Sequence, residues 1–212
     1  MNTPNHNGIL QLWPTQFMQR VIPGAAEPNA GLLAMIQLEQ ASNPTLTTDY
    51  TAKDFFAQEA PAAKWLEACI NKSVIDYLSA MGMTQNVDWS IQAWPNVNHG
   101  GDYHNLHNHP HSYLSGTYYI QVPPQQRYPN QRSDNNPGCI SFFDPRAQAN
   151  MTAIAGDGQI DAEHRVLPEE GMMLLWPSFV HHFVHPNQSD LPRVSVSFNI
   201  LLQWRDSYRP AQ

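Results

Sequence analysis

The sequence has little charge, little cysteine and no long apolar run. Charged residues make up 14% of its 212 positions, and 18 Asp and Glu against 11 Lys and Arg give a formal net charge of −7. A protein whose main partner is a phosphate backbone needs a basic face, so this balance argues against nucleic acid. It still leaves room for a small anionic ligand, which one arginine in a pocket can hold. The two cysteines, Cys69 and Cys139, lie far apart. They read as two buried thiols in a reducing cytosol, not as a disulfide framework. No N-terminal apolar run follows basic residues, and no stretch reaches membrane-spanning length. The expectation is a soluble cytoplasmic protein with no membrane partner. Proline runs the other way: 18 residues exceed the average usage of about 5%, which favours a loop-rich β protein. The length fits a single domain, 1–212, with enough chain to bury a core.

The pattern changes once along the chain. Residues 1–87 read as partly helical support. Asn29 is placed to cap a helix through Leu32, Leu33, Met35 and Ile36. Pro61 suits a first helical turn; Leu66, Ile70, Val74, Tyr77, Leu78 and Met81 recur at helical spacing, and Gly82 ends the run. Residues 88–204 read as a β core with a period of two. Trp89, Ile91 and Ala93 alternate with polar residues, as do Leu114 to Val122 and Val194 to Leu202; shorter strands are expected at Ile140–Phe142 and Met172–Trp176. Such strands, punctuated by Pro, Gly, Asn and Asp, imply a sandwich or barrel. The polar segment Gln125 to Pro137 reads as a long exposed loop, a candidate lid. The last strand has one apolar and one polar face, and the polar face carries Arg193. With helices on the apolar face, the polar face would line the interior. A polar interior is expensive unless it holds a ligand or paired groups.

Nine of the ten histidines fall between His99 and His185. In an extended segment, residues two apart share a face, so His107 and His109 can reach one metal, and so can His109 and His111. A distant third ligand is available in His181 or His182. Imidazole suits iron, zinc, copper and nickel alike, so the spacing does not name the metal. The remaining histidines, His104 and His185 among them, read as rim or supporting polar groups, and Trp89, Trp94 and Trp176 as core.

The chain as a whole resembles the 2-oxoglutarate and iron(II)-dependent oxygenases, in a group of unassigned substrate. Leu12-Trp13-Pro14-Thr15, Trp94-Pro95-Asn96-Val97, the run His107-Asn108-His109-Pro110-His111-Ser112-Tyr113-Leu114-Ser115-Gly116-Thr117-Tyr118-Tyr119, Gly138 to Arg146, Gly171 to Val184 and Arg193 to Asn199 occur in the family's order. The resemblance implies a mainly β fold with flanking helices: a double-stranded β-helix, or cupin-like jelly roll. It implies Fe(II) and 2-oxoglutarate as cofactors and O2 as co-substrate, with succinate and CO2 released and a hydroxylated product. A glycine six residues before the first ligand, here Gly101, favours His107. The aromatic-Pro-Ser-x-x-x-His spacing selects His182 over His181. Arg193, eleven residues later, sits where the family holds the far carboxylate of 2-oxoglutarate, with Ser195 beside it. Tyr119 or Ser115 would add a hydroxyl. The family's His-x-Asp or His-x-Glu motif is broken: the acid position falls on His109. Either His109 completes a three-histidine face or an acid comes from elsewhere, Asp102 or Asp144. No catalytic side chain beyond the metal ligands is required.

Two readings from other classes stand beside this one. A cupin-type metalloenzyme with three histidines and no keto acid accounts for His109 but leaves Arg193 without a task. A non-catalytic jelly roll would bind metal or ligand without turnover. The substrate is open between a small molecule and a protein side chain. Arg127, Arg132 and Arg146 flank the loop as solvated charges. A homodimer is the commonest assembly by base rate.

Overall fold

The protein is described from a computed structural model, over residues 14–42, 55–83, 87–126, 132, 135–146, 161–203 and 205. Helices α1 (Ala26–Ser42) and α2 (Pro61–Ala80) precede most of the β structure. Pro61 sits in the first turn of α2, where its missing N–H costs no hydrogen bond, and Gly82 leaves the helix at φ 74°. The buried stripe of α2 includes Leu66, Ile70, Val74, Tyr77 and Leu78. The cap expected at Asn29 is corrected: α1 begins three residues earlier, at Ala26, and Asn29 lies inside it. Its amide instead joins the helix to the sheet, accepting from the Tyr118 hydroxyl at 2.6 Å and donating to the Ile120 carbonyl at 3.3 Å. A buried amide with both ends satisfied in this way fixes where the helix docks.

Two antiparallel sheets face each other as a double-stranded β-helix. The larger contains β1 (Met18–Val21), β2 (Asp88–Asn98), β4 (Leu114–Gln121), β7 (Met172–Pro177) and β9 (Arg193–Gln203), in the order β1-β7-β4-β9-β2. The smaller contains β3 (His104–His107), β5 (Ile140–Phe143), β6 (Glu163–Val166) and β8 (His182–Val184), in the order β3-β8-β5-β6. The three strands expected from alternation, and the two shorter ones expected after Gly138 and Gly171, are all present. The strands β1, β6 and β8, and β3 at the histidine motif, are three or four residues long, too short for a period to show.

The two faces of β9 do what their chemistry demands. Val194, Val196, Phe198 and Ile200 join Leu32, Ile36, Leu66 and Ile70 in one buried cluster under the helices. Arg193, Ser195 and Ser197 point the other way and line a cavity between the sheets. The rest of that space is apolar, filled by Tyr119, Ile140, Phe142, Val166, Met172, Leu174, Trp176 and Val180. One half of the interior is thus an apolar wall and the other a polar one. Of the expected lid, residues 127–131 and 133–134 lie outside the described residues. Its described start is stitched to the turn before β9: Gln125 donates to Asn187 Oδ1 at 3.0 Å, and the Gln126 N–H to the Gln188 carbonyl at 3.0 Å. Cys69 and Cys139 are unbridged and only partly buried.

Candidate metal centre and anion pocket

His107 and His182 are direct partners across the β3–β8 pair, which brings their ring centroids to 4.2 Å. His109 lies beyond the end of β3. Its N–H donates to the Ser178 carbonyl at 3.0 Å, and Ser178 in turn donates through its hydroxyl to the Ser112 carbonyl. The segment therefore folds back over the β7–β8 turn, and the His109 ring comes within 5.2 Å of both other rings. One nitrogen from each of the three falls within 4.8 Å of the others. The polarity of the hydrogen bonds orients two of the rings. His107 Nδ1 faces the Asn105 carbonyl at 2.6 Å, and His182 Nδ1 faces the Val180 carbonyl at 3.2 Å. A carbonyl only accepts, so Nδ1 carries the proton and Nε2 keeps its lone pair for a metal. His109 has a side-chain hydrogen bond with Asn199, whose Oδ1 accepts from the Ser115 hydroxyl at 2.8 Å.

The electrostatics keep His109 and His182 neutral, which is the ligating form. Burial, reinforced by His107, pushes the His109 imidazole down to about 4. Burial also holds His182 well below the usual range, with His107 and His109 adding to the effect. No carboxylate belongs to the cluster among the described residues. Asp102 accepts from the His99 N–H at 2.8 Å, and Asp144 is paired with Arg146. His111 is exposed with φ 76° and is not in the cluster. His181 is likewise outside it.

The same cavity carries Arg193, only 1% exposed. Its guanidinium donates to the Gly138 carbonyl at 3.2 Å, the His185 carbonyl at 3.3 Å and Asn98 Oδ1 at 3.4 Å. Among the described residues no carboxylate pairs with it. Tyr119 and Ser195 line the cavity beside it, and burial pushes the Tyr119 hydroxyl up to about 12, against the pull of Arg193. An uncompensated buried cation of this kind is costly unless an anion joins it.

Three placements differ from the sequence reading. Ser115 is not among the cavity-lining residues, because its hydroxyl is spent on Asn199 behind the His109 ring. Trp94 and Trp176, expected as core, are buried but also wall the cavity. Trp94 lies over His109 at 5.8 Å, and Trp176 sets an edge against His182 at 5.0 Å. The sequence reading missed Asn96, Asn98, Asn199 and Thr117. The signal was available: Asn96 and Asn98 continue the phase of Trp94 along β2, and Asn199 shares that of Arg193 along β9.

Comparison with known proteins bears on this arrangement. The model of the family described as "Putative 2OG-Fe(II) oxygenase" matches residues 92–199, just over half of the chain. A prolyl-4-hydroxylase from Pseudomonas putida is similar in structure, with TM-score 0.59 and 15% identity over 89% of this chain and 88% of that one. A prolyl hydroxylase from Trichoplax adhaerens, solved with a hypoxia inducible factor peptide, gives TM-score 0.57 and 13% identity over 87% of this chain and 83% of that one. SnoN, a non-heme α-ketoglutarate-dependent epimerase from nogalamycin biosynthesis, gives TM-score 0.53 and 15% identity over 87% and 77%. At these identities the likeness shows a shared fold. A search of curated proteins returned no match.

Proposed function

Since the chain belongs to the 2OG-Fe(II) oxygenase family, we propose that it is a 2-oxoglutarate- and iron(II)-dependent dioxygenase that hydroxylates a small molecule or a protein side chain. The observation that carries this reading is Arg193, a fully buried guanidinium without a carboxylate partner among the described residues, in the same cavity as three converging imidazoles. The donor set fits the cofactors. Neutral imidazoles suit iron(II), and a planar guanidinium suits a carboxylate. His107, His109 and His182 would hold the metal, and Arg193 with Ser195 and Tyr119 would receive the far carboxylate of 2-oxoglutarate. When bound, the pair supplies oxidation of a C–H bond by O2, with loss of succinate and CO2. The chain's own part is to orient the two cofactors, keep the His109 and His182 rings deprotonated and exclude water. Trp94, Trp176, Ile140 and Val184 wall the cavity for that last purpose.

The lack of a carboxylate in the cluster among the described residues favours a second reading: a three-histidine metalloenzyme that uses no keto acid. One experiment separates the two. Anaerobic protein is titrated with iron(II) and then with 2-oxoglutarate, and the visible metal-to-keto-acid charge-transfer band is followed. The expected result is a band in the wild type that His182→Ala and Arg193→Ala both lose, with Arg193→Ala still binding iron. Stoichiometric iron with no band in the wild type would overturn the keto-acid reading and leave the second one.

A further inference from the structure

The buried charge of Arg193 is held in an unusual way. Two of its partners are main-chain carbonyls, and the third is the side chain of Asn98, its direct register partner on β2. Asn98 is itself only 2% exposed. A guanidinium only donates, so the amide oxygen must face Arg193 and the amide nitrogen must face away. That nitrogen lies 3.0 Å from His104 Nε2. An amide nitrogen also only donates, so His104 Nε2 accepts and its ring is neutral, with its proton on Nδ1. The chain Arg193–Asn98–His104 therefore carries a single positive charge and no negative one. Asn98 is also fixed in place: its carbonyl accepts from Asn187 at 2.9 Å, and Asn187 donates as well to the Leu191 carbonyl at 2.9 Å, two residues before Arg193.

An aspartate has nearly the same shape and would grip the guanidinium more tightly. It would also neutralise it. The nearby Asp102 acts on Arg193 only through space, its carboxylate being tied to the His99 N–H. We propose that Asn98 is a positioning residue that orients Arg193 while leaving its charge to a ligand carboxylate, and so selects dianionic over monoanionic keto acids. This assignment rests on the keto-acid reading of the site.

The test compares two ligands in three proteins. 2-Oxoglutarate carries a far carboxylate; 2-oxobutyrate offers the same keto-acid chelate without one. Their affinities for iron(II)-loaded wild type, Asn98→Asp and Asn98→Ala are measured anaerobically, with iron(II) affinity and melting temperature alongside. Losing a charge-assisted contact corresponds to at least about tenfold in affinity. Asn98→Asp is expected to weaken 2-oxoglutarate by that factor or more, with 2-oxobutyrate and iron(II) nearly unchanged. Asn98→Ala, which loses the orientation and keeps the charge, is expected to fall between Asn98→Asp and wild type. Equal losses for both ligands, or no loss in Asn98→Asp, would overturn the assignment. If Asn98→Asp does not fold, the preferential loss of 2-oxoglutarate in Asn98→Ala decides in the same way. A wild type that binds iron(II) but neither keto acid overturns the keto-acid reading, and this assignment with it; an Asn98→Asp protein that behaves as wild type overturns the assignment alone.

Discussion

At the scale of single residues, the interior is organised by the protonation state of its histidines. Burial is the main cause that pushes His104 and His109 down to about 4, with Arg193 assisting at the first and His107 at the second. In the unfolded chain these rings return to their ordinary value of 6.5. Between those two values the unfolded state holds protons that the folded state refuses, so stability falls as the pH drops through the window. It is fully present above pH 6.5. Melting curves of the metal-free protein should hold steady from pH 8 to 6.5 and then decline towards pH 4.5; a flat profile over that range would contradict the neutral assignment. The histidine cluster was largely legible in the sequence, because histidines two apart on an extended segment can share a face. For Asn98 and Asn199 the strand phase shows only the face they share with Trp94 and Arg193; their task appears only when their partners, 95 residues away for Asn98 and Arg193, are known.

At the scale of elements, the alternation of β9 decided more than any motif. It turned Arg193 inward and Phe198 outward, and the outward face required a close fit with β4. Gly116 provides it. A Cβ built at Gly116 would collide with the Phe198 ring and stand 2.7 Å from the Leu174 carbonyl oxygen. The ring can shift, but a strand carbonyl cannot do so without breaking its ladder. Gly116→Ala should therefore cost about 1–3 kcal/mol, lowering the melting temperature by roughly 2–10 °C. Calorimetry or a thermal melt would check this, and an unchanged melting temperature would mean that the helix-side packing is looser than these distances imply. The sequence exposed the long strands for a simple reason: eight to eleven residues give several periods. A four-residue strand such as β6 gives two, which any loop can mimic.

At the scale of the whole molecule, the smaller sheet and the segment after β3 assemble a three-imidazole cluster from residues far apart in the chain, so a metal bound there would be linked to folding. A metal held by the folded state alone, at a hundred times its dissociation constant, adds about 2.7 kcal/mol. The melting temperature should rise by roughly 5–10 °C with iron(II) under anaerobic conditions, return on adding a chelator, and fail to rise in His182→Ala. A shift that survives in His182→Ala would mean that the metal sits elsewhere. The sequence by itself determined the fold class, through hydrophobic periods, and the family likeness, through the order of its motifs. It also contained the histidines and the arginine of the cavity, because their residue types and spacings are local properties. Only the tertiary structure decided that, among the described residues, His109 and not a carboxylate completes the cluster, that Ser115 supports Asn199 instead of lining the cavity, and that Arg193 has no carboxylate paired with it. Each of these depends on which side chains meet across strands far apart in the chain, and that pairing is fixed by sheet register and burial, which no local pattern encodes.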